Sequence, residues 1–337
     1  MKSIGVLGSG SFGTALAVHG TTVSGDVRLW ARRGDLADAL LEARENETYL
    51  PGVELPAMLQ VTPDIADLAE CDIIINAVPS HGFREALRAL LDARSEGEPL
   101  AVVSASKGIE VETLARMSHV IRQEGERAGQ EVRSAVLSGP SFAAELGRGT
   151  PTLLVVAAHD EDLATLLRER LASPALRLYS SSDVAGVEIG GATKNVIAIA
   201  AGVVAGLELG QNTLAALITR GLHEITRLVV ASGGEERTAA GLTGLGDLVL
   251  TCTGGMSRNR QTGIELAAGK GREEITGGTH MVAEGIRTSL AIAKMAEEHD
   301  VSMPITEQVV ALLYEGKDPR RALGELMTRE LKPEKTL

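Results

Sequence analysis

The apolar run Ile4–Leu7 stops in glycine, and Gly8-Ser-Gly-Ser-Phe-Gly13 follows it at once. This spacing restricts the fold more than any other feature of the chain. Gly8 permits a tight turn after a strand, Gly10 lets backbone approach a ligand, and Gly13 lets a helix pack closely on the strand it leaves. A helix from Thr14 would then present unpaired N–H groups and the positive end of its dipole to an anion. A strand, a glycine turn and a helix in that order point to a parallel α/β sheet holding a dinucleotide pyrophosphate.

The chain continues the same alternation. Val27–Trp30, Ile73–Val78, Leu100–Ser104, Ala135–Leu137, Leu153–Ala157 and Leu176–Tyr179 are short, largely apolar runs, and Ile73–Val78 is dominated by β-branched residues, as buried parallel strands are. Helical patterns lie between them, for example at Phe83–Leu91 and Thr113–Ala128. The expected fold is α/β, with an N-terminal Rossmann-type doubly wound parallel sheet over residues 1–182. After residue 182 the texture changes to Ala-, Leu- and Gly-rich helical stretches at Leu214–Ser232, Thr288–His299 and Thr306–Leu313, with glycine-rich loops such as Gly241–Gly246. Residues 183–337 are therefore expected to form a mostly α-helical C-terminal domain for substrate and catalysis.

Composition narrows the function classes. With 337 residues, two domains are expected. Aromatics are 2% of the chain, so base stacking is not its business. A net charge of −12 opposes binding to nucleic acid or an anionic membrane. Cys71 and Cys252 have no CxxC partner and no metal-ligand spacing, so neither a metal nor a disulfide is expected. The N-terminus runs straight into a strand, and the longest apolar run, Val196–Leu207, is too short to span a bilayer. A cytoplasmic protein is expected, and its apolar helical half suits a homodimer.

The end of the second strand usually reports the cofactor. Here it reads Leu29-Trp-Ala-Arg-Arg33, with no carboxylate before Asp35 to accept from a ribose 2′-OH. Arg32 and Arg33 can bind a 2′-phosphate instead, so the cofactor is NADP or NAD, with a lean toward NADP.

Three segments suit an anionic substrate. Lys107 in Ser104–Glu110 follows a strand, at the sheet edge where ligands of such folds bind. Ser138-Gly-Pro-Ser-Phe also follows a strand, and Pro140 or Ser141 is expected to start a helix. In the second half, Asp247 sits in the apolar segment Gly244–Leu248, and Ser257, Arg258 and Asn259 follow two glycines, with Arg260 beside them. Hydroxyl, guanidinium and amide on a flexible backbone make a small anion site. Lys194 is a lone cation at the head of Val196–Leu207. Apolar surroundings strip a lysine of solvent and lower its pKa toward a value useful for proton transfer. By itself such a lysine more often snorkels to the surface.

GSGSFGTALA, LWARR, NETYLPG, NAVPS, SASKGIE, LSGPSFAAE, ATKNVIAIAAG, GLGDLVLTCT, SRNRQTG and MVAEG occur in that order along nearly the whole chain. Together they resemble the bacterial NAD(P)-dependent glycerol-3-phosphate dehydrogenases. The resemblance implies reversible reduction of dihydroxyacetone phosphate to sn-glycerol 3-phosphate, which supplies glycerophospholipid synthesis. It implies Lys194 as catalytic acid/base. It implies Lys107, Gly139, Ser141, Asp247, Ser257, Arg258 and Asn259 as substrate contacts. Ser11, Phe12, Arg32, Arg33, Lys107, Ala143, Arg258, Val282 and Glu284 are implied as cofactor contacts beside Gly8, Gly10 and Gly13. Two positions depart from the family pattern: Phe12 often appears there as Trp, and Arg32 as His.

The chemistry fits the residues. Ketone reduction needs a proton for the developing alkoxide, and a lysine ammonium can stabilise that charge and then donate. Asp247 would orient Lys194. An alternative enzyme class is the β-hydroxyacid or 6-phosphogluconate-type dehydrogenase, which also pairs such a sheet with helices and a lysine. A protein that senses NADP without turnover is a third reading, opposed by the intact set Lys107, Lys194 and Asp247. His81, after Val78-Pro-Ser, is expected in a loop near the cofactor, and His223 within a helix is expected to be structural.

Overall fold

The computed structural model describes residues 2–95, 97–277, 283–330 and 333–334. Ten strands are found among them: β1 (Ile4–Leu7), β2 (Val27–Trp30), β3 (Glu45–Asn46), β4 (Leu50–Glu54), β5 (Gln60–Thr62), β6 (Ile73–Asn76), β7 (Leu100–Ser104), β8 (Val132–Ser138), β9 (Thr152–Ala157) and β10 (Leu176–Ser181). Eight form one sheet in the order β10-β9-β8-β7-β6-β1-β2-β5. Pairings are parallel except β8 with β9, which is antiparallel. The expected doubly wound parallel sheet is present, with this one antiparallel pairing added to it. The link between β8 and β9 holds one short helix, Ala143–Gly147, and returns the chain antiparallel beside β8.

Both faces of the sheet are covered. Ile73 and Ile75 pack into one core with Val6 and Leu29, while Ile74 packs into the other with Leu7, Phe83 and Val102. A strand buried on both faces reads as an uninterrupted apolar run, which is why β6 was visible in the sequence. The order in which strands are added reverses between β1 and β6, and Gly8 follows β1 at that switch point.

β3 and β4 form a separate antiparallel ribbon that the sequence did not announce. Pro51 and Gly52 (φ +76°) interrupt the second strand and disguise it as a loop. Helix boundaries shift as well. The first helix begins at Ser11, not Thr14, and the stretch expected from Thr113 becomes helical only at Met117.

The chain divides into two compact units. One comprises Met1–Lys107 and Ala115–Glu188, the other Gly108–Leu114 and Ile189–Leu337. The expected change at residues 182–183 falls at the start of the helix Val184–Gly206, which continues past Glu188. At 23 residues it is longer than the expected Val196–Leu207 and is long and apolar enough to cross a membrane, yet 83% of its most apolar window is buried inside the chain. The second unit is helical around an aliphatic core that includes Ile197, Leu228, Leu248 and Ile292.

Two helices of this unit meet backbone to backbone. A Cβ on Gly202 would lie 1.9 Å from the Arg260 carbonyl oxygen, and one on Gly263 would lie 1.9 Å from the Ile199 carbonyl oxygen. No side chain fits between the helices Val184–Gly206 and Arg258–Ala267 at this seam.

Candidate active site

In the first unit, the glycines after β1 have separate reasons. Gly8 has φ +101°, a conformation that favours glycine. A Cβ on Gly13 would lie 1.9 Å from the Gly8 carbonyl oxygen, so the protein itself forbids a side chain there. A Cβ on Gly10 would meet no protein atom within 4 Å. Packing therefore does not demand glycine at position 10, whereas close approach of a ligand to the backbone does. Gly10 caps the helix Ser11–Gly20, which begins with Ser11 and Phe12. These residues fit a dinucleotide pyrophosphate.

Four residues gather at the carboxyl ends of the strands. The Lys107 ammonium donates to the Gly139 carbonyl at 2.8 Å and lies 5.7 Å from the centre of the Phe12 ring. The Ser141 hydroxyl donates to the same carbonyl at 3.1 Å. Gly139 itself has φ +132°. Contrary to expectation, neither Pro140 nor Ser141 starts a helix. Phe142 is the cap, and Ala143 opens the five-residue helix. Arg32 and Arg33 are exposed beyond β2. Arg33 caps the helix Gly34–Ala43 and stands 3.8 Å from Asp35. His81 is not in a loop but is the exposed second residue of the helix Ser80–Ala93.

In the second unit, Lys194 is 5% exposed. Its ammonium donates to Asp247 Oδ1 at 3.0 Å and to Thr251 Oγ1 at 2.7 Å. Thr251 Oγ1 also lies 2.6 Å from the Asp247 carbonyl oxygen and 3.2 Å from Asp247 Oδ1. Its single proton can serve only one of these acceptors at a time. A buried charge without a partner would be costly, and the carboxylate with the hydroxyl offsets part of that cost. Thr251 was missed from sequence. Its signal was the spacing of four from Asp247 on a helix, which puts both on one face.

Asp247 opens the helix Asp247–Thr253 directly after a π-helical turn, Leu242–Gly246. This corrects the loop expected at Gly241–Gly246. Gly244 makes the turn possible, since a Cβ there would lie 1.9 Å from the Ala239 carbonyl oxygen. Ser257 is the N-cap of Arg258–Ala267, its hydroxyl accepting from the Arg260 N–H at 3.2 Å. Arg258 keeps an exposed surface, while the protein packed about its guanidinium lowers its pKa and the Glu284 carboxylate opposes that. It stays charged regardless. Glu284 opens the helix Glu284–Glu298. Val282 lies outside the described residues.

Asn259 is buried and spends its amide on protein. Its Nδ2 donates to Asn195 Oδ1 at 2.9 Å, and its Oδ1 accepts from the Gly285 N–H at 2.9 Å. One amide thus ties together the residues following Lys194, Arg258 and Glu284. Asn195 was not singled out from sequence.

His223 lies half-buried within the helix Gly210–Ala231. Cys71 and Cys252 are free and buried, their thiols pushed up by burial to about 11 and about 12. No group of three metal-ligating side chains occurs among the described residues.

Known proteins resemble this chain over almost its full length. The family model for the NAD-dependent glycerol-3-phosphate dehydrogenase N-terminus matches residues 3–164, and that for the C-terminus matches residues 183–324. The chain belongs to this family. A glycerol-3-phosphate dehydrogenase [NAD(P)+] of Nitratidesulfovibrio vulgaris is 48% identical over 98% of this chain and 99% of its own. The Moorella thermoacetica protein of the same name is 47% identical over 97% of this chain and 96% of its own. The crystal structure of glycerol-3-phosphate dehydrogenase from Coxiella burnetii superposes with a TM-score of 0.91 at 37% identity, covering 97% of this chain and 99% of that one.

Proposed function

We propose that this chain is an NAD(P)-dependent oxidoreductase that interconverts dihydroxyacetone phosphate and sn-glycerol 3-phosphate, with Lys194 as acid/base. The observation that carries the role of Lys194 is its burial together with its bonds to Asp247 and Thr251. A dinucleotide held at Gly8–Gly13 would supply the hydride for the carbonyl carbon. Lys194 Nζ stabilises the negative charge that develops on the carbonyl oxygen and gives it a proton, completing the alcohol. In the reverse direction it takes that proton back. Asp247 offsets the lysine charge and fixes its direction, and Thr251 holds a second N–H.

Arg258 and the N-terminus it opens receive the substrate phosphate, and Ser257 and Asn259 set the geometry of that N-terminus. Lys107, Gly139 and Ser141 contact substrate. Gly8, Gly10, Gly13, Ser11, Phe12, Ala143, Lys107, Arg258, Val282 and Glu284 serve the cofactor. Arg32 and Arg33 take the 2′-phosphate of NADP, which makes NADP the favoured partner. We assign residues 1–182 to the dinucleotide and residues 183–337 to substrate and catalysis. A cytoplasmic homodimer is the state we propose. Its supports are the two free thiols and the exposed apolar side chains Val230, Leu245, Val249 and Met256. The product would supply glycerophospholipid synthesis.

The test is oxidation of NADPH and NADH with dihydroxyacetone phosphate, set against β-keto acids. Turnover of the phosphorylated ketone is expected. No turnover with either cofactor, or a preference for keto acids, would sink the assignment. Light scattering after gel filtration checks the dimer.

A further inference from the structure

We propose that Asn46 is a positioning residue for the dinucleotide loop, its side-chain amide holding the Ser9–Gly10 peptide in the orientation that receives a pyrophosphate. The inference rests on reading Gly8–Gly13 as the cofactor site. Asn46 ends β3 and is 1% exposed. Its Nδ2 donates to the Ser9 carbonyl at 2.9 Å and to Thr14 Oγ1 at 2.8 Å. Its Oδ1 accepts from the Tyr49 N–H at 3.1 Å, which ties the same side chain to the ribbon turn. Thr14 Oγ1 in turn donates to the Ser9 carbonyl at 3.3 Å. Amide, carbonyl and hydroxyl close a triangle buried beneath the loop.

The consequence lies in the peptide between Ser9 and Gly10. The described chain has no cis peptide bond, and in a trans peptide the C=O and the following N–H point in opposite directions. Fixing the Ser9 oxygen toward Asn46 therefore turns the Gly10 N–H the other way. Gly10 is the residue where an added Cβ would meet no protein atom. Flanking glycines at 8 and 10 give the loop little stiffness of its own. The restraint comes from Asn46, delivered by a ribbon whose Leu50 and Val53 are buried in the core of the first unit.

The test uses the full chain and titrates NADPH calorimetrically without substrate, beside steady-state kinetics and a thermal melt. Asn46→Ala is expected to weaken NADPH binding about tenfold, the scale of one or two lost hydrogen bonds. The KM for NADPH should rise with it, while the KM for dihydroxyacetone phosphate at saturating NADPH stays within about twofold by the same scale. Thr14→Val keeps the shape and removes the second corner of the triangle. It should weaken binding in the same sense, and the double variant should fall short of additivity. If Asn46→Ala does not fold, Thr14→Val decides. Folded variants that bind NADPH like the parent would overturn the inference alone, as would an equal loss of both KM values. A parent chain that binds no dinucleotide would overturn the cofactor reading and this inference with it.

Discussion

Thr251 and Lys194 meet at 2.7 Å, the ammonium donating to the hydroxyl oxygen. This contact is shorter than the 3.0 Å bond from Lys194 to Asp247, so the lysine is held from two sides. Lys194→Ala should retain NADPH binding and lose turnover by about three orders of magnitude, within the range of general acid catalysis. Thr251→Val should lose about tenfold or somewhat more, the size of one hydrogen bond to a charged group. Single-turnover rates with saturating cofactor measure both. Near-normal turnover in Lys194→Ala would remove the lysine from proton transfer.

Arg258→Ala should act mainly on binding. A rise in KM for dihydroxyacetone phosphate of about a hundredfold is expected, since a charge-assisted pair with phosphate is lost. An unchanged KM would take Arg258 out of the phosphate site.

Gly10 and Gly13 should separate on substitution. Gly13→Ala places a Cβ 1.9 Å from backbone oxygen and should lower the melting temperature strongly. Gly10→Ala should leave it nearly unchanged and weaken NADPH binding. Equal melting temperatures for the two variants would contradict the different roles assigned to them.

Arg32→Ala and Arg33→Ala should raise KM for NADPH more than for NADH, because only NADPH carries the 2′-phosphate. Parallel changes for both cofactors would leave the exposed arginines without that role.

Glu224 predicts a pH effect on stability. It is 2% exposed and accepts from the N–H groups of Ile305 and Thr306 at 2.6 and 3.2 Å, and from the Thr306 hydroxyl at 3.1 Å. Burial raises its pKa from 4.5 to about 7, against these donors and the nearby Arg227 charge. Below pH 4.5 folded and unfolded chains both hold the proton. As pH climbs from there toward 7, the unfolded chain releases it first, so stability falls. Above that window both are ionised and the loss is constant, about 3 kcal/mol as an order of magnitude. Glu224→Gln should flatten this part of the curve in urea melts taken across the window. A parent and variant with parallel curves would refute it.

Much of the architecture was legible because buried parallel strands leave uninterrupted runs such as Ile73–Ile75, and because Gly13 marks a contact the backbone cannot make otherwise. The ribbon was hidden because Pro51 and Gly52 carry turn chemistry into a strand. The direction of β9 was hidden because pairing polarity is set by how a strand docks beside its neighbour and not by the strand's own residues. At the site, Lys194, Asp247 and Arg258 stood out as charges in apolar or glycine-rich company. Thr251 and Asn195 did not, because a hydroxyl or amide gains its meaning only from the partner that tertiary packing brings to it.

The seam of Gly202 and Gly263 also sets limits on redesign. The helix bearing Lys194 and the helix opened by Arg258 touch through backbone at Gly202 and Gly263, so at these two positions no side chain is left to trim. Any substitution at the seam can only force the helices apart, and none can draw them closer. Gly202→Ala or Gly263→Ala should therefore destabilise the second unit, which a thermal melt checks.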